Sequence, residues 1–194
     1  MAEIRDCPAP DPHPGGPTRY RVPEGAVDTH AHVIGLPPAY PLVADRSYTP
    51  PAAPADRYLA MLDATGMANG VLVQVSVHGT DNRLLLETLA ANAERLRGIA
   101  VIPLGLPERD LRAMKDAGIV GLRLNVLYGG GRLRASIRNC RCQPISRLPV
   151  PFVVDHMGHM PTAAGLSDPG FSTLVALVRD GAWVKLSGAF RTSV

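Results

Sequence analysis

The chain has 194 residues, 46% hydrophobic and 19% charged; this is enough for one domain with a sizeable core, and it is not a disordered composition. No apolar run reaches the roughly 18 residues that would span a bilayer, so no membrane-embedded helix is expected. The formal charge of +3 is local: residues 132–147 (RLRASIRNCRCQPISR) hold five Arg and no acid, and removing them leaves 3 − 5 = −2, so no nucleic-acid partner is expected.

Residues 1–21 open the chain. Pro8, Pro10, Pro12, Pro14 and Pro17 predict a flexible arm without regular structure. The arm lacks the apolar stretch of a signal peptide, which predicts a cytoplasmic protein. A single domain is expected over 22–194. Residues 26–31 (AVDTHA) predict a first strand, and 55–65 (ADRYLAMLDAT) a helix stopped by Gly66. Residues 70–77 (GVLVQVSV) form a continuous apolar run that predicts a strand. A helix is expected over 81–96, with Leu85, Leu89, Ala93 and Leu96 at helical spacing, Thr80 or Asp81 capping it and Gly98 ending it. Further along, strands are expected at 98–102, 119–124, 150–155 and 182–186. Helices are expected at 108–117 and at 168–180, the latter with Phe171, Leu174, Val175 and Val178 inward. Helices between apolar strands imply a parallel sheet, because parallel strands need crossovers. An open doubly wound sheet and a closed barrel both fit, but no G-x-G-x-x-G follows the first strand, which disfavours a dinucleotide fold.

Residues 128–149 break this rhythm with Gly129–Gly131, the arginine-rich patch, Pro144 and Pro149. They read either as a loop or as a segment translated out of its ancestral frame. The glycine run has no following Lys-Ser/Thr and no helix, so it is not a phosphate cradle. Cys7, Cys140 and Cys142 make neither a disulfide framework nor a paired zinc motif.

The polar side chains fall at strand ends. His30 and His32, two apart in extended chain, share a face with Asp28. Ser76 and His78 close the second strand, Arg123 and Asn125 the fourth, and Asp155 and His156 the fifth, while Ser187 and Arg191 follow the last. In a parallel barrel these ends meet at the rim where the chemistry lies. Each has a bland alternative, a hydrogen-bonded surface histidine or an arginine paired with a structural carboxylate. Three histidines and two arginines together favour function, since buried charge is costly unless paired or serving a ligand. Imidazoles can polarise a carbonyl or hold a metal, and arginines grip carboxylates with two parallel hydrogen bonds, so hydrolysis of a carboxylated substrate is the chemistry expected. His13 and His159 are expected in exposed loops.

The stretches GAVDTHAHVIG (25–35), VLVQVSVHGTDN (71–82), GLRLN (121–125), PFVVDHMGHMP (151–161) and WVKLSGAFR (183–191) resemble the amidohydrolase-related family, in particular its branch of 2-pyrone-4,6-dicarboxylate hydrolases and related lactonases. The resemblance runs over residues 22–131 and 148–194. It implies a distorted TIM (β/α) barrel that opens a lactone or related carbonyl bond in a small carboxylated substrate. It implies that His30, His32 and His156 polarise the carbonyl, and that Tyr48, Ser76, Arg123 and Arg191 bind substrate carboxylates. In that branch it implies no metal cofactor; a divalent metal such as zinc, if bound, would sit on His30 and His32. The chain also departs from the family pattern. The strand between the fourth and the V-P-F-V-V-D strand is replaced by the irregular segment, and the strand carrying the water-activating aspartate is not found after Arg191. His159 stands where the pyrone hydrolases would have an arginine. These departures predict an incomplete barrel and allow two alternatives: a catalytically inactive fragment, or a binding module that uses the basic loop.

Overall fold

The computed structural model describes residues 5–46, 48–103, 105–123, 151–159 and 162–187. The chain divides into two compact units, Met1–Leu133 and Arg134–Val194. The segment at 128–149, with its possible frame change and its two cysteines, lies outside the described residues, as do Asn125 and Arg191. Cys7 carries a free thiol. No helix among the described residues is long and apolar enough to cross a membrane.

In the first unit the arm is not wholly irregular. Its strand β1 (Arg5–Asp6) pairs in parallel with β3 (Tyr48–Thr49), and the Arg57 guanidinium donates to Pro12 O at 3.2 Å. Four strands build the main sheet: β2 (Val27–Ala31), β4 (Asn69–Val73), β5 (Leu96–Ala100) and β6 (Ile119–Leu122). They lie side by side in chain order, every pair parallel. A doubly wound sheet reverses its strand order at a switch point; this run of four does not reverse, as in a (β/α) barrel.

Three helices connect these strands. Helix α1 (Ala55–Thr65) has the expected bounds, with Tyr58 and Leu62 buried one turn apart. It ends at Gly66, whose φ of 78° is left-handed, and Met67 N donates back to Leu62 O at 2.9 Å, closing a Schellman cap. Helix α2 (Arg83–Ala91) is shorter than the 81–96 expected. Asn92 stops it: its backbone N–H bonds to Leu89 O, and its own carbonyl accepts from Arg95 and Leu96. Leu96 matched the helical spacing because it enters the same core, but it does so from β5. The N-cap is Asn82, without a side-chain cap bond, rather than Thr80 or Asp81; Asp81, one residue further out, accepts the Arg83 N–H on Oδ1 at 3.3 Å. Helix α3 (Glu108–Asp116) follows β5. The core joins Leu62, Leu72, Leu85, Leu89 and Leu96, all fully buried, each contributing roughly 1.5–3 kcal/mol by removal from water.

The second unit holds β7 (Val153–Val154), helix α4 (Pro169–Arg179) and β8 (Trp183–Val184), with β7 and β8 parallel. Both strands are shorter than the sequence predicts. Asp168 caps α4 by accepting from Gly170 N at 2.8 Å, and Pro169 opens it. Leu174 and Leu177 are buried, whereas Val178, expected inward, is 47% exposed. Leu177 and Ala182 pack with Phe152.

Candidate active site

Along β2, Asp28 and His30 are half-buried while Val27 and Thr29 face outward, and half-buried His32 follows directly. His32 Nδ1 lies 2.7 Å from Val73 O, at the end of β4. A carbonyl only accepts, so Nδ1 carries a proton, and in the neutral form of the ring the lone pair is on Nε2. The His30 ring stands edge-on to it, centroids 5.0 Å apart at 78°. The His30 N–H reaches Asp28 Oδ1 at 3.4 Å.

Arg123, just past β6, uses its N–H on Ala100 O at 2.7 Å and its guanidinium on Gln74 O at 3.2 Å. Consecutive carbonyls at the exit of β4 therefore hold His32 and Arg123, which places an imidazole pair and a guanidinium at one end of the parallel sheet. Ser76 is not a strand residue: β4 ends at Val73, and Ser76–His78 wraps a 3₁₀ turn beyond it. Tyr48 sits in the separate two-stranded sheet with β1. Arg191 is outside the described residues. His13 is exposed, as expected.

Asp28 has a structural duty. Its Oδ2 accepts from Tyr58 Oη at 2.9 Å. Burial first, and the neighbouring Asp28 charge second, hold the Tyr58 hydroxyl above the ordinary tyrosine range. Tyr58→Phe is expected to cost about 1.5–3 kcal/mol, the worth of a hydrogen bond to a charged group. Because the folded-state value is raised, this tyrosine's contribution is full below about pH 10, where unfolded tyrosine ionises, and is lost as pH rises beyond it. Denaturant titrations at about pH 8 and about pH 11 should show a larger alkaline loss in the wild type than in Tyr58→Phe; equal losses would rule this out.

In the second unit, His156 follows β7. His156, Met157 and Gly158 are all left-handed, with φ of 50°, 53° and 66°. For the two non-glycine residues this costs about 1–3 kcal/mol each, a strain that collects at functional sites. The surroundings hold the turn: Met157 N donates to Lys185 O at 3.0 Å, and Lys185 Nζ pairs with Asp155 at 3.2 Å. His156 Nδ1 meets Ser187 Oγ at 2.9 Å. A hydroxyl both donates and accepts, so this contact positions the ring without choosing its tautomer.

Three residues that support the site carried weaker sequence signals. Buried Gln74 donates to Gly79 O and Asp81 O and so shapes the turn after β4. Buried Asn82 donates to Thr80 O and Val101 O and accepts from Val101 N, tying the start of α2 to the end of β5. His78 is 4% exposed, with both ring nitrogens bonded to backbone. A polar side chain directly after an apolar residue of the 70–77 run was the available signal for Gln74 and His78; Asn82, after His78-Gly79-Thr80-Asp81, had no such signal.

The model of the amidohydrolase family (Amidohydro_2) matches residues 27–142. A 4-sulfomuconolactone hydrolase of Rhizobium radiobacter is 32% identical over 219 residues, covering 100% of this chain and 73% of that protein. A 2-pyrone-4,6-dicarboxylate hydrolase of Comamonas testosteroni is 28% identical, covering 91% of this chain and 66% of that protein. A crystal structure of a probable 2-pyrone-4,6-dicarboxylic acid hydrolase of Acinetobacter baumannii, with citric acid bound, superposes with a TM-score of 0.75 at 26% identity, over 88% of this chain and 73% of that one. The chain belongs to the amidohydrolase family, and it is a hydrolase of mixed α/β fold built on a parallel sheet.

Proposed function

We propose that this chain opens a lactone or related ring ester in a small substrate bearing carboxylates, such as 2-pyrone-4,6-dicarboxylate. The observation that carries the reading is the pair of bonds at the exit of β4, where Val73 O orients His32 and Gln74 O orients Arg123. The imidazoles of His30 and His32 polarise the carbonyl, with His156 of the second unit assigned the same role. Arg123 grips a carboxylate, with Tyr48, Ser76 and Arg191 as the further carboxylate binders. The lactone hydrolases among the relatives, and the citric acid in the Acinetobacter structure, support a small carboxylated ligand. We propose that this chemistry needs no cofactor. A divalent metal such as zinc nevertheless fits the donor set: His30 and His32 would hold it, with Nδ1 of His32 tied back to a carbonyl as ligating histidines are. Such an ion would act as a Lewis acid on the same carbonyl. A partial barrel is part of the proposal: among the described residues six strands match those expected for the barrel, against eight in a closed one.

The test is turnover of 2-pyrone-4,6-dicarboxylate and 4-sulfomuconolactone by the full chain, after chelation and after adding zinc or manganese. A folded chain that turns over neither lactone under any of these conditions would defeat the proposal. Binding of the diacid without turnover would favour the inactive fragment. Arg123→Lys keeps the charge but loses the fork, and is expected to raise KM about 10–100-fold with a smaller change in kcat. An unchanged KM would remove Arg123 from substrate binding.

A further inference from the structure

Between residues 34 and 53 the chain makes an excursion that begins directly after the two histidines. Its base is closed by Ile34 and Ala53, whose N–H groups each donate to the other's carbonyl at 2.9 Å. Loops leaving this end of parallel strands form the walls of barrel active sites. The excursion carries Tyr48.

Its first half is held by the turn after β4. Gly35 N donates to His78 Nε2 at 3.3 Å, and His78 Nδ1 lies 3.2 Å from Pro41 O. An N–H needs an acceptor and a carbonyl needs a donor, so the ring is neutral and protonated at Nδ1. Beside it, Val43 N donates to Val77 O at 2.8 Å. The connection continues toward Tyr48: the Arg46 guanidinium donates to Val43 O at 3.2 Å and to Thr49 Oγ1 at 3.1 Å. From outside, the Tyr40 ring meets His78 edge-on at 6.4 Å, with its hydroxyl on Glu87, while Arg83 donates to Ala39 O at 3.3 Å and is paired with Asp81.

A histidine buried only for packing would need neither nitrogen matched to this loop. We propose that His78 is a positioning residue: by holding Gly35 and Pro41 in the neutral Nδ1–H form it fixes the excursion that carries Tyr48, and so sets affinity for the substrate carboxylate. The kinetic part rests on the lactonase reading; the loop part does not.

The experiment compares His78→Leu with His78→Gln in the full chain. The glutamine amide can accept from Gly35 and donate to Pro41, whereas leucine does neither. For His78→Leu the expected result is about tenfold faster exchange of the Gly35 amide and a KM for 2-pyrone-4,6-dicarboxylate raised about tenfold, with kcat within about twofold. His78→Gln should restore both. If the leucine variant does not fold, His78→Asn, which keeps the donor to Pro41 and loses the acceptor for Gly35, is read the same way. Unchanged Gly35 exchange, a fall in kcat at constant KM, or failure of glutamine to restore KM would each overturn the proposal. Should the wild-type chain neither turn over nor bind the diacid, the lactonase reading falls, and the positioning of the loop is then decided by the Gly35 exchange.

Discussion

His32→Asn is expected to melt close to the wild type and yet lose about 10²–10⁴ in kcat/KM toward a pyrone lactone, the range of a positioned acid–base or polarising group. The asparagine amide can still donate to Val73 O, the bond that Nδ1 makes at 2.7 Å. It has no counterpart of the Nε2 lone pair. The substitution therefore removes the chemistry and spares the anchor. His32→Ala removes both and is expected to melt lower as well, because Val73 O loses its partner. The pairing of a kinetic loss with retained stability in one variant and a double loss in the other separates a working imidazole from a structural one. If His32→Asn kept wild-type turnover, Nε2 would have no part in the reaction and the site would have to be rebuilt around His30. His30→Asn is the companion measurement, since its ring lies only 5.0 Å from that of His32 and a shared task predicts losses that do not add.

Much of the fold was legible because it rests on patterns that survive local detail. Alternating short apolar runs and helical stretches imply parallel strands with crossovers, and four of those strands do lie in chain order. Gly66 marks the end of α1 because only a left-handed residue closes that cap. The D-T-H-A-H run sets His30 and His32 two apart, and their rings do meet edge-on, but the register shift between Asp28 and Ala31 breaks the period of two and Asp28 is not shown to share their face. What the sequence did not reveal depends on contacts across the chain. Leu96 satisfies helical spacing from a strand, and no window of sequence distinguishes those two routes into one core. Ser76 looks like the end of a strand until Gln74 is seen to bond Gly79 O and Asp81 O and turn the chain. Asp28 looks like a member of the polar rim until Tyr58, thirty residues on, is seen to donate to it. The left-handed run at His156 and Met157 has little local sequence signal: histidine enters that region more often than most residues, but methionine does not.

The largest loss of stability is expected at a residue with no side chain. Gly70 of β4 lies opposite Asp28 of β2 on one side and Leu96 of β5 on the other. Tyr58 descends from α1 across this position to reach Asp28. A Cβ at Gly70 would stand 2.8 Å from Tyr58 Cζ and 2.9 Å from Cε1, and closer still to the hydroxyl. The tyrosine must give way, because the opposing atoms belong to an aromatic ring rather than to the end of a flexible chain. Gly70→Ala combines overpacking, about 1–3 kcal/mol, with the lost bond to a carboxylate, about 1.5–3 kcal/mol, for a total of about 3–5 kcal/mol. That is a large part of the stability of an ordinary domain. Adding Tyr58→Leu removes the ring that clashes. The double variant should then be more stable than the sum of the single losses by about 1 kcal/mol or more. Additivity within about 0.5 kcal/mol would mean that Gly70 is required for some reason other than Tyr58. Coupling of the expected sign would establish that the strand bearing the polar end of this sheet is held to its neighbour by a tyrosine lying in a glycine slot.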